Sequence, residues 1–231
     1  MEGTEVRKLA QLEDEHWWYR ERRHLLSRAI TGLTPGRAID IGAAGGGNTR
    51  VLREHGWDAV ALEYGADGAA VAHDRGLPTL RGDATNLPLA DDSLDLVIAF
   101  DVLEHLQDDD AAVAEVRRVL RPGGTYLVAV PADPRLWSSH DVAVDHVRRY
   151  TREGLVDLLD RGGFEVADVR SWNVLLRPVV AMRRRTSSGS DLEDLHPVVN
   201  LGLRAIITAE RYLPVGGLPG VSLLVRAQPR S

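Results

Sequence analysis

Cysteine is absent from this sequence of 231 residues. Its absence excludes disulfide bonds and cysteine-ligated metal sites, and it is typical of a protein from a reducing compartment. No stretch approaches the ~18 consecutive apolar residues of a membrane-spanning helix. The segment "MEGTEVRKLAQLEDEHWWYRERR" lacks the apolar core of a signal peptide, so we expect a cytoplasmic protein without a membrane span.

Basic charge is also scarce. The 28 Lys and Arg residues are outnumbered by 34 Asp and Glu residues, the formal net charge is −6, and no long basic run occurs. This balance argues against a nucleic-acid partner and favours a small-molecule substrate. The length and the 44% hydrophobic share are enough for one α/β domain with a substantial core.

Strand-like and helix-like segments alternate along the chain without a hairpin signal. This pattern predicts a doubly wound, Rossmann-like sheet that is mainly parallel, with sites at the carboxyl ends of the strands. The predicted strands are 37–41, 58–62, "LPTLRGD" ending at Asp83, "SLDLVIAF", "TYLVAVP", "FEVADVRSWNVLL" and "GVSLLVRAQ". Helices are predicted over 13–30, around Arg50, over "ADGAAVAHDRG", over 109–120, after Thr151 and over 201–212. The segment "RPGG" is expected to break the helix over 109–120 before the strand "TYLVAVP".

The segment "AIDIGAAGGGNTRVL" joins the first predicted strand to a helix through a cluster of glycines. Glycine at this density allows a sharp turn and a close approach of the backbone to a ligand. Asn48 or Thr49 is expected near the N-cap of the following helix, and Gly56 at its end. Strand, glycine turn and helix N-terminus form the first unit of a nucleotide-binding α/β domain.

Three acids, Asp40, Glu63 and Asp83, come at or just after three successive predicted strands. The carboxyl ends of parallel strands meet at one edge of the sheet, so these acids are expected there together. An acid after the second strand can accept both hydroxyls of a ribose. An acid after the third can accept a hydrogen bond from the amine of adenine. The alternative is that acids after strands only keep loops soluble.

Four segments in order, "AIDIGAAGGGNTRVL", "ALEYGADGAAVA", "GDATNLPLADDSLDLVIAFDVLEHLQD" and "VLRPGGTYLVAVP", resemble the motifs of class I S-adenosylmethionine-dependent methyltransferases. The resemblance implies a seven-stranded sheet with an antiparallel terminal strand, and S-adenosyl-L-methionine as cofactor. It implies that Asp83 and Ala84 contact the adenine, that Glu63 contacts the ribose, and that Phe100 and Asp101 lie by the methionine end. The implied cofactor residues are Asp40, Gly42, Ala43, Ala44, Gly46, Glu63, Tyr64, Asp83, Ala84, Phe100 and Asp101.

Ala44 departs from the family pattern, which usually has glycine there. Its methyl group adds bulk where the methionine part of the cofactor would lie, and the glycines at 45–47 could compensate. The spacing of Gly42, Ala44 and Gly47 also suits a loosened nicotinamide-dinucleotide fingerprint. Against that alternative, a dehydrogenase does not require an acid at Asp83.

The domain organisation is predicted as an N-terminal helical lid over 1–36 and a methyltransferase domain over 37–231. Within that domain, 132–150 is predicted as an active-site connection and 176–218 as a helical insertion before the last strand. In the lid, Trp17 and Trp18 are predicted to contact substrate, and Tyr19 and Arg20 to reach the cofactor. The alternative is that these aromatics pack the helix onto the domain.

Histidine suits removal of a proton from an oxygen or nitrogen nucleophile, because its pKa lies near neutrality. His146, His140 and His105 are the candidate bases, in that order, and a surface role is the alternative for each. Asp141 or Asp145 could orient a histidine. Arg148, Arg149 and Tyr150 are predicted to contact substrate, the arginines by binding a carboxylate or phosphate. The sequence predicts no metal site.

The expected function is methyl transfer to the oxygen or nitrogen of a small molecule, of natural-product or sugar type. Two alternatives keep the cofactor: another reaction of the sulfonium such as cyclisation, or a non-catalytic cofactor-binding partner protein. A nicotinamide-dependent oxidoreductase is a more distant alternative. Oligomeric state and acceptor are not determined by the sequence.

Overall fold

The computed structural model describes residues 12–13, 15–186 and 196–230. The strands are β1 (Arg37–Ile41), β2 (Asp58–Glu63), β3 (Thr79–Arg81), β4 (Leu94–Phe100), β5 (Leu120–Pro131), β6 (Phe164–Trp172) and β7 (Ser222–Pro229). The α-helices are α1 (Trp17–Ile30), α2 (Gly47–Glu54), α3 (Ala66–Asp74), α4 (Asp109–Val119), α5 (Ser139–Ala143), α6 (Arg152–Arg161), α7 (Arg177–Thr186) and α8 (Pro197–Glu210). Residues 1–11 of the predicted lid and 187–195 of the predicted insertion lie outside the described residues.

The seven strands form one sheet in the order β3-β2-β1-β4-β5-β7-β6. β7 is antiparallel to both of its neighbours, and the remaining pairs are parallel. The predicted doubly wound, Rossmann-like sheet with an antiparallel terminal strand is therefore confirmed. Its order reverses between β1 and β4, which is the place where open α/β sheets bind ligands.

Helices on both faces cover the sheet because the central strands are apolar on both sides. One core cluster contains Val113, Val116 and Val119 of α4, the apolar side that the sequence predicts. The other contains Leu26 and Ile30 of α1. Among the residues described, no helix has the length and apolar character that crossing a membrane requires.

The ends of three elements can be compared with the sequence. Asn48 and Thr49 lie near the N-cap of α2, as expected: Gly46 is the N-cap itself, in the left-handed region (φ 80°), and both residues lie in the first turn. The helix over 109–120 does end before "RPGG", at Val119. The segment itself belongs to β5, which begins at Leu120, earlier than the predicted "TYLVAVP", and has a register shift against β4 between Leu94 and Leu96. Thr151 caps α6 as predicted, with its hydroxyl accepting a hydrogen bond from the Gly154 amide.

Candidate active site

The turn between β1 and α2 has three residues in the left-handed region: Gly42 (φ 67°), Ala44 (φ 49°) and Gly46 (φ 80°). A Cβ on Gly42 would lie 2.6 Å from a methyl of Val102, so only glycine fits there without displacing the chain after β4. Ala44 is the one non-glycine residue of the three, and L-residues pay a steric cost in this region. The turn is thus tightly wound and carries strain at Ala44.

Glu63, the last residue of β2, lies against this turn. Its Oε1 accepts a hydrogen bond from the Ala44 amide. A Cβ on Gly68 would come within 2.6 Å of Oε2, so the glycine in α3 makes room for the carboxylate. Burial raises the pKa of Glu63, although the Ala44 amide acts in the opposite direction. The neighbouring Tyr64 is exposed.

Asp40, in β1, is fully buried beneath the turn. Its Oδ2 accepts a hydrogen bond of 2.7 Å from the Thr49 hydroxyl, and Oδ1 has no partner among the described residues. Burial raises the pKa of Asp40 to about 7, despite the Thr49 hydrogen bond and the charge of Arg22. The position suits a residue that supports the turn from below.

Asp83 follows β3 and closes a short turn of its own. Its Oδ1 accepts hydrogen bonds of 2.8 Å from both the amide and the hydroxyl of Thr85. The side chains of Ala43, Ala84 and Phe100 are buried, which leaves their backbone groups as the parts that can contact a ligand.

Helix α1 meets the same edge through Arg22. Its Nη1 donates a hydrogen bond of 2.9 Å to Asp101 Oδ2, just after β4. The guanidinium lies over the rings of Trp18 (4.9 Å) and Tyr19 (5.4 Å). Burial raises the pKa of Tyr19 to about 12. The predicted Arg20 is exposed.

Sequence reasoning missed Arg22, although its position four residues after Trp18 puts both on one helix face. Trp17 packs against Leu176 and Ile207, which is the packing alternative stated for this helix. Trp18 stacks near Trp172, with ring centroids 5.7 Å apart.

The three candidate histidines come together beside the end of β4. The ring centroid of His146 lies 4.8 Å from that of His105 and 6.2 Å from that of His140. His146 Nδ1 is 2.9 Å from Asp141 Oδ1. Because a carboxylate only accepts, Nδ1 carries the proton and Nε2 is the nitrogen left for other contacts. Of the two acids that could orient a histidine, Asp141 is the one whose side chain does so.

Asp141 has no exposed surface but is well supplied with donors. Besides His146, Arg149 Nε donates to it at 2.7 Å and the Ser138 amide at 2.9 Å. Burial alone would raise its pKa, but the hydrogen bonds from His146 and Arg149 and the charges of Arg149 and Arg184 hold the pKa of Asp141 well below its usual range. Asp141 is therefore charged in the folded protein.

Glu104 is the residue of this region that sequence reasoning did not find. It has no exposed surface, and its Oε1 lies 3.8 Å from His146 Nε2. Burial, with the charge of Asp101 adding to it, raises the pKa of Glu104 well above its usual range. An acid among the apolar residues of "FDVLEHL" does not by itself indicate that its carboxyl group is buried beside a histidine.

The three predicted substrate residues before α6 make internal contacts. Arg148 pairs with Asp109 at 2.6 Å, and the Tyr150 hydroxyl donates to the same carboxylate at 2.7 Å. Arg149 is buried on Asp141. In this structure they anchor the connection between β5 and α6.

Comparison with known proteins gives one consistent result. The family described as "Methyltransferase domain" matches residues 39–128. A "Probable S-adenosylmethionine-dependent methyltransferase" of Mycolicibacterium smegmatis is 32% identical over 71% of this chain and 66% of its own length. A demethylmenaquinone methyltransferase of Mycolicibacterium paratuberculosis is 33% identical over 53% of this chain and 51% of its own. The chain thus spans less than two thirds of the length of either relative.

A solved structure agrees on the fold. The S-adenosylmethionine-dependent methyltransferase of Mesorhizobium loti superposes with a TM-score of 0.63 at 20% identity, over 94% of this chain and 99% of the other. At that identity the likeness concerns the fold alone.

Proposed function

Because the chain belongs to the S-adenosylmethionine-dependent methyltransferases, we propose that it transfers a methyl group from S-adenosyl-L-methionine to an oxygen or nitrogen atom of a small molecule. The observation that carries the proposal is the meeting of two regions at one edge of the sheet. The charge of Asp101 acts on Glu104 and His105 of the histidine cluster. Its partner Arg22 acts in turn on Asp40 beneath the glycine turn, where Glu63 also acts.

The residues present fit this cofactor. The turn at Gly42, Ala44 and Gly46 brings backbone close to the crevice, and the carboxylate of Glu63 stands at its edge as an acceptor for ribose hydroxyls. Asp83 and Ala84, which follow β3, would contact the adenine under this proposal. Tyr64 is exposed beside Glu63 and can cover the ligand.

The cofactor, when bound, supplies an activated methyl group on its sulfonium. The protein must align the acceptor for in-line attack, which is mainly a matter of proximity and orientation. Removal of the acceptor's proton falls to the histidine cluster, where Asp141 fixes the tautomer and orientation of His146. His105 keeps exposed surface beside it, so either ring or both can serve the acceptor.

In this proposal helix α1 forms one wall of the site, which is the role predicted for the lid over 1–36. The contact that supports it is Arg22 on Asp101, with Trp18 and Tyr19 against the guanidinium. Under this proposal Arg22, rather than the predicted Arg20, is the arginine of α1 at the cofactor edge, and its contact with Asp101 supports this.

The test is calorimetric titration with S-adenosylmethionine and S-adenosylhomocysteine, together with mass spectrometry of what co-purifies. Glu63→Ala is expected to weaken binding of both by about 1–3 kcal/mol, the cost of removing a charged hydrogen-bond acceptor. Asp67→Ala, on the first turn of α3, is the matched control and should bind normally. Equal binding by Glu63→Ala would refute the ribose assignment. Release of S-adenosylhomocysteine on turnover distinguishes methyl transfer from other sulfonium chemistry.

A further inference from the structure

Three side chains at the histidine cluster bring potential metal-ligand atoms close together. One ligand atom each from Glu104, His105 and His146 lies within 4.8 Å of the other two. The chain segments that carry them are tied together, because the Val147 amide donates a hydrogen bond of 2.8 Å to the Glu104 carbonyl. A set of two histidines and one carboxylate is therefore held in place by backbone contacts.

In both histidine rings Nδ1 lies beside a hydrogen-bond acceptor. His146 Nδ1 donates to the Asp141 carboxylate at 2.9 Å, and His105 Nδ1 lies 3.2 Å from the carbonyl oxygen of Asp145. Carbonyl and carboxylate oxygens only accept, so both rings carry their proton on Nδ1 and leave the lone pair of Nε2 for a further partner. Metal-ligating histidines are usually oriented in this way, with the ring nitrogen that does not bind the metal donating to a carboxylate or carbonyl oxygen.

Glu104 supplies an independent observation. Its side chain is fully buried, and neither carboxylate oxygen accepts a hydrogen bond from another residue of the described chain. A buried carboxyl group without partners is costly, and such groups normally have a hydrogen-bond donor or a cation. The arginines whose charges reach this region pair with other acids: Arg149 and Arg184 with Asp141, and Arg22 with Asp101. The cluster thus has a carboxylate whose lone pairs are unused, beside two oriented imidazoles.

We propose that Glu104, His105 and His146 bind a divalent transition-metal ion such as Zn²⁺, Mn²⁺ or Fe²⁺, with Asp141 and the Asp145 carbonyl orienting the histidines. Two histidines and one carboxylate leave coordination positions open for a water or a substrate oxygen or nitrogen. Under the proposed function, on which this role rests, the open positions would hold the methyl acceptor beside Asp101. The ion would then favour the deprotonated acceptor in place of a free histidine base.

The test uses Co²⁺ as the probe on full-length protein that has been treated with a chelator. Visible absorption and calorimetry should show one Co²⁺ per chain, and Zn²⁺ should compete for it. His105→Ala and Glu104→Gln should each weaken binding at least about 100-fold, because loss of even an orienting residue costs about 10–100-fold. His140→Ala is the matched control, since this neighbouring histidine is outside the set.

Two outcomes would overturn the proposal: no stoichiometric Co²⁺ at micromolar concentration, or equal Co²⁺ affinity in the parent, His105→Ala and Glu104→Gln. Circular dichroism establishes that each variant is folded, and His105, which keeps exposed surface, is the substitution least able to disturb the core. Binding of S-adenosylhomocysteine is measured on the same samples. Metal binding without cofactor binding would refute the proposed function but support the metal site. Cofactor binding without metal binding would refute the metal site but leave the proposed function in place.

Discussion

Asp40 and Asp141 are both without exposed surface, yet their environments act on them in opposite directions. Asp40 receives one side-chain hydrogen bond, from Thr49, and burial raises its pKa to about 7. Asp141 receives hydrogen bonds from His146, Arg149 and a backbone amide, and its pKa is held low. Burial alone therefore does not decide the charge of a carboxyl group here; the hydrogen-bond donors and the positive charges around it do.

The two regions around these aspartates also differ in how they are built. The turn above Asp40 is built from backbone conformation within a short stretch of sequence. The cluster around Asp141 is built from side chains that meet over long distances along the chain. We therefore expect substitutions in the cluster to cost more stability than substitutions in the turn.

The largest effect is expected at Asp141. Asp141→Ala leaves the buried guanidinium of Arg149 without its carboxylate and should lower the free energy of unfolding by about 3–5 kcal/mol. Asp110→Ala, which breaks the exposed pair with Arg161, is the control and should cost no more than about 1 kcal/mol. Urea unfolding measures both. Similar losses in the two variants would contradict the difference drawn between the regions.

Arg22 connects α1 to the edge of the sheet, so its removal tests whether α1 depends on that contact. Arg22→Leu should lower the free energy of unfolding by about 1.5–3 kcal/mol, the range for hydrogen bonds to charged groups, and should change the fluorescence of Trp18. Arg20→Leu removes an exposed arginine from the same helix and should do neither. Unchanged emission and stability in Arg22→Leu would show that α1 is held by its apolar contacts alone.

The pKa of Asp40 makes stability depend on pH. The folded protein binds this proton more tightly than the unfolded chain, whose aspartates titrate near the ordinary value of 3.8. The contribution is therefore complete below about pH 4 and is lost as the pH rises towards about 7, at up to roughly 1.4 kcal/mol per pH unit. Asp40→Asn keeps an acceptor for Thr49 and should remove this part of the slope. Unfolding midpoints at several pH values measure it, and identical slopes in parent and variant would contradict it.

The smallest effect is expected at Ala44, where relief of strain competes with the greater freedom of glycine in the unfolded chain. The left-handed conformation costs an L-residue about 1–2 kcal/mol, and glycine gives back up to about 1 kcal/mol in entropy. Ala44→Gly should therefore raise the free energy of unfolding by up to about 1 kcal/mol, as urea unfolding would report. Gly42→Ala is the opposing control, since its Cβ would meet Val102. A destabilised Ala44→Gly would show that the turn is not strained at this residue.

The fold and the edge of the sheet follow from sequence because their signals are local. The alternation of strands and helices, the glycines between β1 and α2, and the acids at or just after the ends of β1 to β3 are each encoded within a few residues. The sequence does not reveal what Thr49 does in the first turn of α2, because its hydroxyl donates a hydrogen bond to the buried Asp40 of β1.

The cluster is different, because its geometry depends on how the connection after β5 folds back over β4. The sequence indicated the histidines and two possible acids, but it could not choose Asp141 over Asp145. It also could not indicate Glu104, whose role depends on being buried beside His146. Arg22 lies between these two cases: its contact with Asp101 could not be predicted, but its helical spacing from Trp18 indicated that both residues share one face of the helix.

The position of β7 between β5 and β6 has a consequence for synthesis on the ribosome. Residues 222–229 complete the sheet from the inside, and until they emerge β6 has no strand to pair with while β5 presents an open edge. A nascent chain at that stage carries β1 to β5 with the apolar β5 at an open edge, together with an unpaired β6. Edges of this kind recruit strands from other chains. The interval before the last strand is made is thus when the protein is most exposed to aggregation and most in need of a chaperone.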